Sequence, residues 1–263
     1  MDLGLAGKVA LVTGASRGLG KAVAESLAAE GAHVVVASRD QMVLEAAADD
    51  VRKQALGDVL AVPADVTKEE DVRRLVDAAS ERFGHIDILV ANAGGPPASR
   101  FETTDLEAWR QGLELNLLST IHLCRAVVPG MRERRSGRIV AIASISVKQP
   151  VDGLILSNTA RSGVVGLMKS LSNELAPHGI GVNVACPGYT KTDRLVDLAE
   201  RMSQQDGVPK EAIFKRWTDQ IPMGRLGEPE EFASIVAFLC SERASYVSGT
   251  CLQIDGGAVK GVF

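Results

Sequence analysis

Short apolar runs, many of them β-branched, recur along the chain, and between them apolar positions return every three or four residues. The runs are Val9–Val12, His33–Ala37, Val59–Val62, Ile86–Ala91, Arg138–Ala143 and Gly181–Ala185, with a last one between Tyr246 and Gly257. Continuous apolar runs of this length, bounded by glycine and polar residues, predict strands buried on both faces. The intervening spacing predicts helices, among them Lys21–Glu30 with Val23, Leu27 and Ala28 on one face, and Met42–Lys53. Thr67-Lys68-Glu69-Glu70 and Thr104-Asp105-Leu106-Glu107 have the capping-box pattern, the first opening a helix that runs through Arg82. Strand and helix alternate throughout with no Pro/Ser-rich linker. The expected fold is therefore α/β: a single doubly wound Rossmann domain, with helices on both faces of a parallel seven-stranded sheet.

The first strand runs into Thr13-Gly14-Ala15-Ser16-Arg17-Gly18-Leu19-Gly20 and then a helix. A strand, a glycine-rich turn and a helix N-terminus aim backbone N–H groups and the positive end of a helix dipole at one point, which suits a phosphate. Gly14 lets the chain turn, Gly18 lets a pyrophosphate approach the backbone, and Gly20 lets helix and strand pack closely. A glycine-rich loop without a ligand is the alternative, but strand, turn, helix and second strand follow in the order that a dinucleotide fold requires. At the end of the second strand stand Ser38, Arg39 and Asp40. An acidic residue there would bond a ribose 2′-hydroxyl, whereas guanidiniums at Arg39 and Arg17 can fork onto a 2′-phosphate, favouring NADP(H). Asp40 keeps NAD(H) open, and both arginines could instead simply be solvated.

The T-G-x-x-x-G-x-G turn resembles that of the short-chain dehydrogenase/reductase family, and the resemblance, which covers nearly the whole chain, extends to its 3-oxoacyl-acyl-carrier-protein reductases. Asn92-Ala93-Gly94 matches the family's N-A-G motif, followed here by Gly95, Pro96 and Pro97. The resemblance implies that Gly14, Ser16, Arg17, Gly18, Leu19 and Gly20 cradle the cofactor phosphates, with Ser38 and Arg39 at the ribose. It places Asp65 and Val66 at the adenine, although Asp65 could equally be a turn or capping residue. Asn92, Ala93 and Gly94 would lie by the nicotinamide-side ribose, and Pro187-Gly188 would form the nicotinamide-side turn. Thr192 would meet the pyrophosphate or carboxamide. Asn116, a polar amide amid leucines, matches the family's helix-kinking asparagine, or is a satisfied core residue. Ser144, at the carboxyl end of the fifth strand, matches the active-site serine that holds the substrate carbonyl oxygen; an ordinary capping serine is the alternative.

The chain departs from the family where its proton donor should be. The tyrosine position holds Ser157 and the lysine four residues on is Arg161; the only tyrosines are Tyr189 and Tyr246. A phenol, with a reference pKa of about 10, can be drawn toward neutrality by a nearby ammonium and protonate a carbonyl that receives hydride. A serine hydroxyl is far too weak an acid, though it can donate a hydrogen bond. Arg161 keeps the positive charge and can fork onto ribose hydroxyls, but does not shuttle protons. Either another group supplies the proton, with Tyr189 the first candidate and Lys148 or water behind it, or the usual turnover is lost. Tyr189 could face the substrate or lie on the surface. The catalytic set expected from sequence is thus Asn116, Ser144, Ser157, Arg161 and Tyr189.

Residues 190–222 are the longest insertion, with Leu195, Leu198, Met202, Ile213, Phe214, Trp217 and Ile221 at helical spacing. They form either a two-helix lid over the site, which would suit an apolar or acyl-type substrate, or a stripe packed on the body. The resemblance also implies a homotetramer built on the last strand and the helices around residues 117–133 and 157–175, with small Ala160, Gly163 and Gly166 allowing close helix contact. The composition changes little: 263 residues, 46% hydrophobic, 24% charged, net charge −4. No basic block points to nucleic acid or anionic membrane, and no apolar run or leader pattern points to membrane spanning or secretion. Cys124, Cys186, Cys240 and Cys251 lack metal or disulfide spacing and read as reduced thiols of a cytoplasmic protein, and the histidines suggest no metal site. The function these features imply is an NADP(H)-dependent oxidoreductase interconverting a carbonyl and an alcohol with a non-standard active site. Two alternatives stand beside it: a nucleotide-binding protein with little or no redox turnover, serving as a sensor or inactive partner subunit, and a different reaction such as dehydration on the same scaffold.

Overall fold

A computed structural model describes residues 2–262, apart from the side chain of Gln205. Seven strands are described: β1 (Val9–Thr13), β2 (His33–Ser38), β3 (Val59–Pro63), β4 (Ile88–Ala91), β5 (Gly137–Ile142), β6 (Ile180–Pro187) and β7 (Cys251–Ile254). They form one sheet in the order β3-β2-β1-β4-β5-β6-β7, and every neighbouring pair is parallel. Because successive side chains of a strand point to opposite faces, β1 sends Ala10 and Val12 to one core and Leu11 to the other. The first core is closed by α1 (Gly18–Ala29), α2 (Gln41–Gln54) and α9 (Pro229–Cys240). The second is closed by α3 (Glu69–Phe83), α5 (Ser119–Arg134) and α6 (Ile155–Leu175). The runs Val9–Val12, Val34–Ala37 and Ile88–Ala91 are buried throughout, as strands covered on both faces must be.

The order in which strands are added reverses between β1 and β4, on either side of which the sheet is wound outward in opposite directions. In open α/β sheets this switch point, at the carboxyl ends of the strands, is where ligands bind. Two ties hold the crevice there: Thr13 Oγ1 donates to Asn92 O at 2.7 Å and accepts from Asn92 N at 2.9 Å.

Several local expectations are corrected. Helix α1 begins at Gly18 rather than Lys21, so the glycine turn is itself the helix N-terminus. Neither predicted capping box forms. The Thr67 hydroxyl donates to Asp65 Oδ1 at 2.8 Å, and α3 starts after Lys68 without a side-chain cap. Asp105, not Thr104, caps α4 (Leu106–Leu113), accepting from Ala108 N at 2.7 Å; the carboxylate is the stronger acceptor and shifts the cap by one residue. A box does close at α9, between Glu228 and Glu231. Of the small residues expected to serve an oligomer contact, Ala160 is fully buried within the chain, and a Cβ on Gly163 would stand 3.0 Å from Leu117 of the same chain. Both are used in packing α6 on its own neighbours, and only Gly166 faces open space.

Residues 190–222 hold the two helices α7 (Asp193–Asp206) and α8 (Lys210–Thr218). Leu195, Ala199, Ile213, Trp217, Ile221 and Leu226 give them an apolar cluster of their own, separate from both sheet cores.

Candidate active site

The glycine turn has the backbone that its sequence requires. Gly14 and Gly18 lie in the left-handed region at φ +59° and +57°. A Cβ on Gly20 would stand 2.7 Å from Asn92 Nδ2 and 2.9 Å from the Gly14 carbonyl carbon, so only glycine lets α1 approach β1 this closely. Asn92 Nδ2 donates to Gly14 O at 3.2 Å, tying the turn to the end of β4. Thr192 caps α7, accepting from Leu195 N at 3.4 Å, and its Cγ2 would lie 3.5 Å from a Cβ on Gly18. The Pro187-Gly188 turn is pinned to β7 by Gly188 N donating to Ile254 O at 2.9 Å. Glycine turn, N-A-G segment and Pro-Gly turn thus converge on one crevice, with Ser16 and Leu19 on the first of these.

Arg17, at the N-cap of α1, and Arg39, directly after β2, are exposed and pair with no carboxylate among the described residues. The Ser38 hydroxyl is buried with no partner. Asp40 caps α2 through Oδ1, accepting from Val43 N at 3.0 Å. Asp65 Oδ1 holds Thr67, the turn role, beside the half-buried Val66. An orphaned hydroxyl flanked by free guanidiniums suits a phosphate, and together with the turn these residues fit a phosphorylated dinucleotide.

The chemistry end lies across the carboxyl ends of β4 and β5. Asn116 sits in one turn of π-helix, Glu114–Leu118, between α4 and α5, and is 4% exposed. Its Nδ2 donates to Gly94 O at 2.8 Å, while its Oδ1 is buried without a donor. Ser144 Oγ accepts from Ser146 N at 3.1 Å, which leaves its own proton free. Ser157 and Arg161 are one helical turn apart on α6 and both buried, Arg161 at 7% exposure. Arg161 Nη1 donates to Ile142 O and Ala143 O, both at 2.9 Å, and Nη2 reaches Ala93 O at 3.5 Å. The guanidinium therefore clamps the ends of β4 and β5 next to Ser144. Burial, and after it the Arg194 guanidinium, brings Arg161 down to about 10, so it stays cationic at neutral pH.

Tyr189 is not part of this cluster. Its ring stacks on Trp217 with centroids 5.2 Å apart, inside the α7–α8 apolar cluster, and burial pushes its phenol up. A cation-activated acid would be shifted the other way.

Two features of the site have only faint sequence signals. Arg194, on the first turn of α7, lays its guanidinium over Gly95: a Cβ there would stand 2.5 Å from Arg194 Cζ. The extra glycine after N-A-G is the trace of this contact. Cys186 and Cys251 bring their sulfurs to 3.3 Å across β6 and β7. The hydrogen bond from Cys186, and then Lys148, lower Cys251 to about 7, while Cys186 is pushed up. Among the described residues no cluster of His, Cys, Asp or Glu could hold a metal ion, and no helix is long and apolar enough to cross a membrane.

Fold and site together define a doubly wound dinucleotide-binding protein whose serine, asparagine and cation meet at the strand ends. A family model described as enoyl-(acyl carrier protein) reductase matches residues 14–259. Dehydrogenase/reductase SDR family member 4 of Oryctolagus cuniculus is 39% identical over 256 residues, covering 97% of this chain and 94% of that protein. The 3-oxoacyl-(acyl-carrier-protein) reductase of Escherichia coli strain K12 is 37% identical over 251 residues, covering 95% and 97%. L-sorbose reductase from Gluconobacter frateurii, solved with NADPH and L-sorbose, superposes with TM-score 0.95 at 35% identity over 100% of both chains. The chain belongs to the short-chain dehydrogenase/reductase family.

Proposed function

We propose that the protein is an NADP(H)-dependent oxidoreductase that interconverts a carbonyl and an alcohol without the family's tyrosine acid. The observation that carries this reading is the crevice itself: a glycine turn tied by Asn92, leading to a buried, partnerless Ser38 hydroxyl beside unpaired Arg17 and Arg39. The L-sorbose reductase complex with NADPH supports it. Gly14, Ser16, Arg17, Gly18, Leu19, Gly20 and Thr192 hold the phosphates, and Ser38 and Arg39 take the 2′-phosphate. Asp65 and Val66 border the adenine, while Asn92, Ala93, Gly94, Pro187 and Gly188 frame the nicotinamide side. When bound, the nicotinamide supplies or accepts hydride.

The residues of this chain do the rest. Ser144, already accepting from Ser146 N, donates its proton in a hydrogen bond to the carbonyl oxygen. Ser157, buried and facing the same way as Arg161, offers a second hydroxyl. Arg161 stays charged and stabilises negative charge developing on that oxygen, with fixed geometry set by the carbonyls of Ile142, Ala143 and Ala93. None of these groups gives up a proton at neutral pH, so water delivers it. Asn116 positions the Gly94 carbonyl rather than touching substrate. The apolar underside of α7 and α8 covers an apolar or acyl-type substrate, and the protein works as a cytoplasmic homotetramer.

One observation favours a second reading, a nucleotide-binding subunit with little turnover: the family's phenol–ammonium pair is replaced by Ser157 and Arg161, neither of which gives up a proton near neutral pH. Fluorescence titration with NADPH and NADH, followed by NADPH consumption on a panel of ketones, separates the two. The oxidoreductase reading expects tighter NADPH than NADH binding, and turnover. Binding without turnover on any carbonyl leaves the second, and absence of binding removes both.

A further inference from the structure

Two guanidiniums meet at the segment joining β4 to the proline pair, and neither has a carboxylate among the described residues. Arg161 approaches from beneath, against Ala93 O. Arg194 comes from above, and its guanidinium occupies the space that any side chain at residue 95 would need. Arg194 makes no hydrogen bond or ion pair among the described residues, although Asp193 and Asp197 neighbour it on α7. Desolvation and the nearby Arg201 hold Arg194 below the ordinary arginine value, and Arg194 in turn depresses Arg161. A pair of like charges brought together against repulsion, partly stripped of water and left without a counter-ion, is a site built for an anion.

The position indicates whose anion it is. Phosphates of a dinucleotide belong at the Gly14–Gly18 turn, which Thr192 covers. Arg194 does not rest there. It rests on Gly95, beyond the Ala93–Gly94 stretch that Asn116 and Arg161 hold, and the same Arg161 holds the carbonyl of Ala143, the residue before Ser144. We infer that the substrate is an oxo acid or the matching hydroxy acid, with its carboxylate gripped by the fork of Arg194 beneath α7. The inference rests on the oxidoreductase reading and narrows it: the apolar cluster of α7 and α8 takes the hydrocarbon end, and Arg194 the charged end. Because Arg194 sits on the first turn of α7, its engagement also seats that helix over the site.

The test uses binding, so that it does not depend on turnover. A series of 3-oxo carboxylates and 2-oxo carboxylates, each with its methyl ester, is titrated calorimetrically into the wild-type protein with and without NADP+, and into Arg194→Met, Arg194→Lys and Gly95→Ala. NADPH affinity is measured on all four proteins by fluorescence. Loss of a charge-assisted fork is worth about tenfold or more in affinity. The expected result is a preference of the wild type for acids over esters by about that factor, collapsed in Arg194→Met and partly restored in Arg194→Lys. Gly95→Ala, whose backbone is not in the left-handed region and whose Cβ displaces only the tip of a flexible side chain, should lose the preference as well. NADPH affinity should change less than threefold in Arg194→Met, a shift of under about 1 kcal/mol. Equal binding of acids and esters by the wild type overturns the inference while leaving the oxidoreductase reading untouched. A fall in NADPH affinity that accounts for the whole effect also overturns it, assigning Arg194 to the cofactor pyrophosphate. Failure of the wild type to bind NADPH, with the acid preference intact, removes the oxidoreductase reading instead.

Discussion

Gly20 gives the most direct check on the cofactor crevice. In Gly20→Ala the new methyl stands 2.7 Å from Asn92 Nδ2, 2.9 Å from the Gly14 carbonyl carbon and closer still to its oxygen. None of these is a flexible tip: Gly14 is backbone, and Asn92 is fixed by two bonds to Thr13. The start of α1 must therefore withdraw by roughly 1 Å, the shortfall from an ordinary contact of about 3.5–4.0 Å. Overpacking of this kind costs about 1–3 kcal/mol, which for a chain of this size lowers Tm by about 2–4 °C per kcal/mol. The functional effect is separate. Withdrawal takes at least one helix N-terminal N–H away from a phosphate, and a hydrogen bond to a charged group is worth about 1.5–3 kcal/mol. NADPH Kd should rise about tenfold to a hundredfold. Gly84→Ala is the control: at φ +86° it is strained, its Cβ meets nothing within 4 Å, and it caps α3. It should lose comparable Tm with no change in Kd. Scanning calorimetry and NADPH fluorescence read both quantities. Wild-type affinity in Gly20→Ala would refute the placing of a phosphate on this turn.

Four further outcomes follow from the site. Tyr189→Phe should leave kcat within about twofold, because the phenol lies in the lid cluster and is shifted away from acidity; a loss of the ~10²-fold or more expected of a general acid would return it to the mechanism. Asn116→Ala removes the bond to Gly94 and should cost about 1 kcal/mol of stability, seen in denaturant unfolding as a lower midpoint at constant slope. Ser157→Tyr with Arg161→Lys should raise turnover on simple ketones by about a hundredfold if only the acid is lacking; no gain would mean that the pocket itself has diverged. Iodoacetamide should label Cys251 first, at a rate that rises as pH passes about 7 and Cys251 loses its proton. Cys124 and Cys240, which burial pushes up to about 12, should stay unlabelled in the folded protein.

What could be read from the sequence divides by the range of the forces involved. The interior strand runs and the glycine turn rest on short-range pattern and stand in the structure as the periodicity implied, whereas the edge strands β3 and β7, read as buried on both faces, are only half-buried because each has a neighbour on one side alone. Caps were misread where two acceptors competed within three residues: the carboxylates of Asp65 and Asp105 displace the hydroxyls of Thr67 and Thr104, a contest that a motif does not decide. The box at Glu228 begins with a carboxylate rather than a hydroxyl and so lacks the usual signature. Long-range packing was opaque. Nothing local tells that Tyr189 stacks on Trp217, or that Gly163 lies against Leu117 of its own chain. Residues 190–222 are intermediate: helical spacing disclosed two helices, but not that they carry a core of their own.

The exchange of tyrosine and lysine for Ser157 and Arg161 changes the kind of catalysis more than its location. A phenol–ammonium pair works because one member can lose a proton near neutral pH. Arg161, brought down only to about 10 despite burial, cannot. What it does instead is hold a permanent charge in fixed register, braced on three backbone carbonyls at the ends of β4 and β5. A fixed charge favours an anionic form of the reacting oxygen without choosing when the proton arrives. Rate should then be nearly flat across neutral pH. A tyrosine-dependent relative would show a base limb there. The same positive charge also repels any other cation, so Arg194 is held at Gly95 more firmly when an anion sits between the two. In the proposed mechanism the fixed charge of Arg161 and the anion grip of Arg194 act at the same turn, so electrostatic stabilisation and substrate anchoring would be coupled.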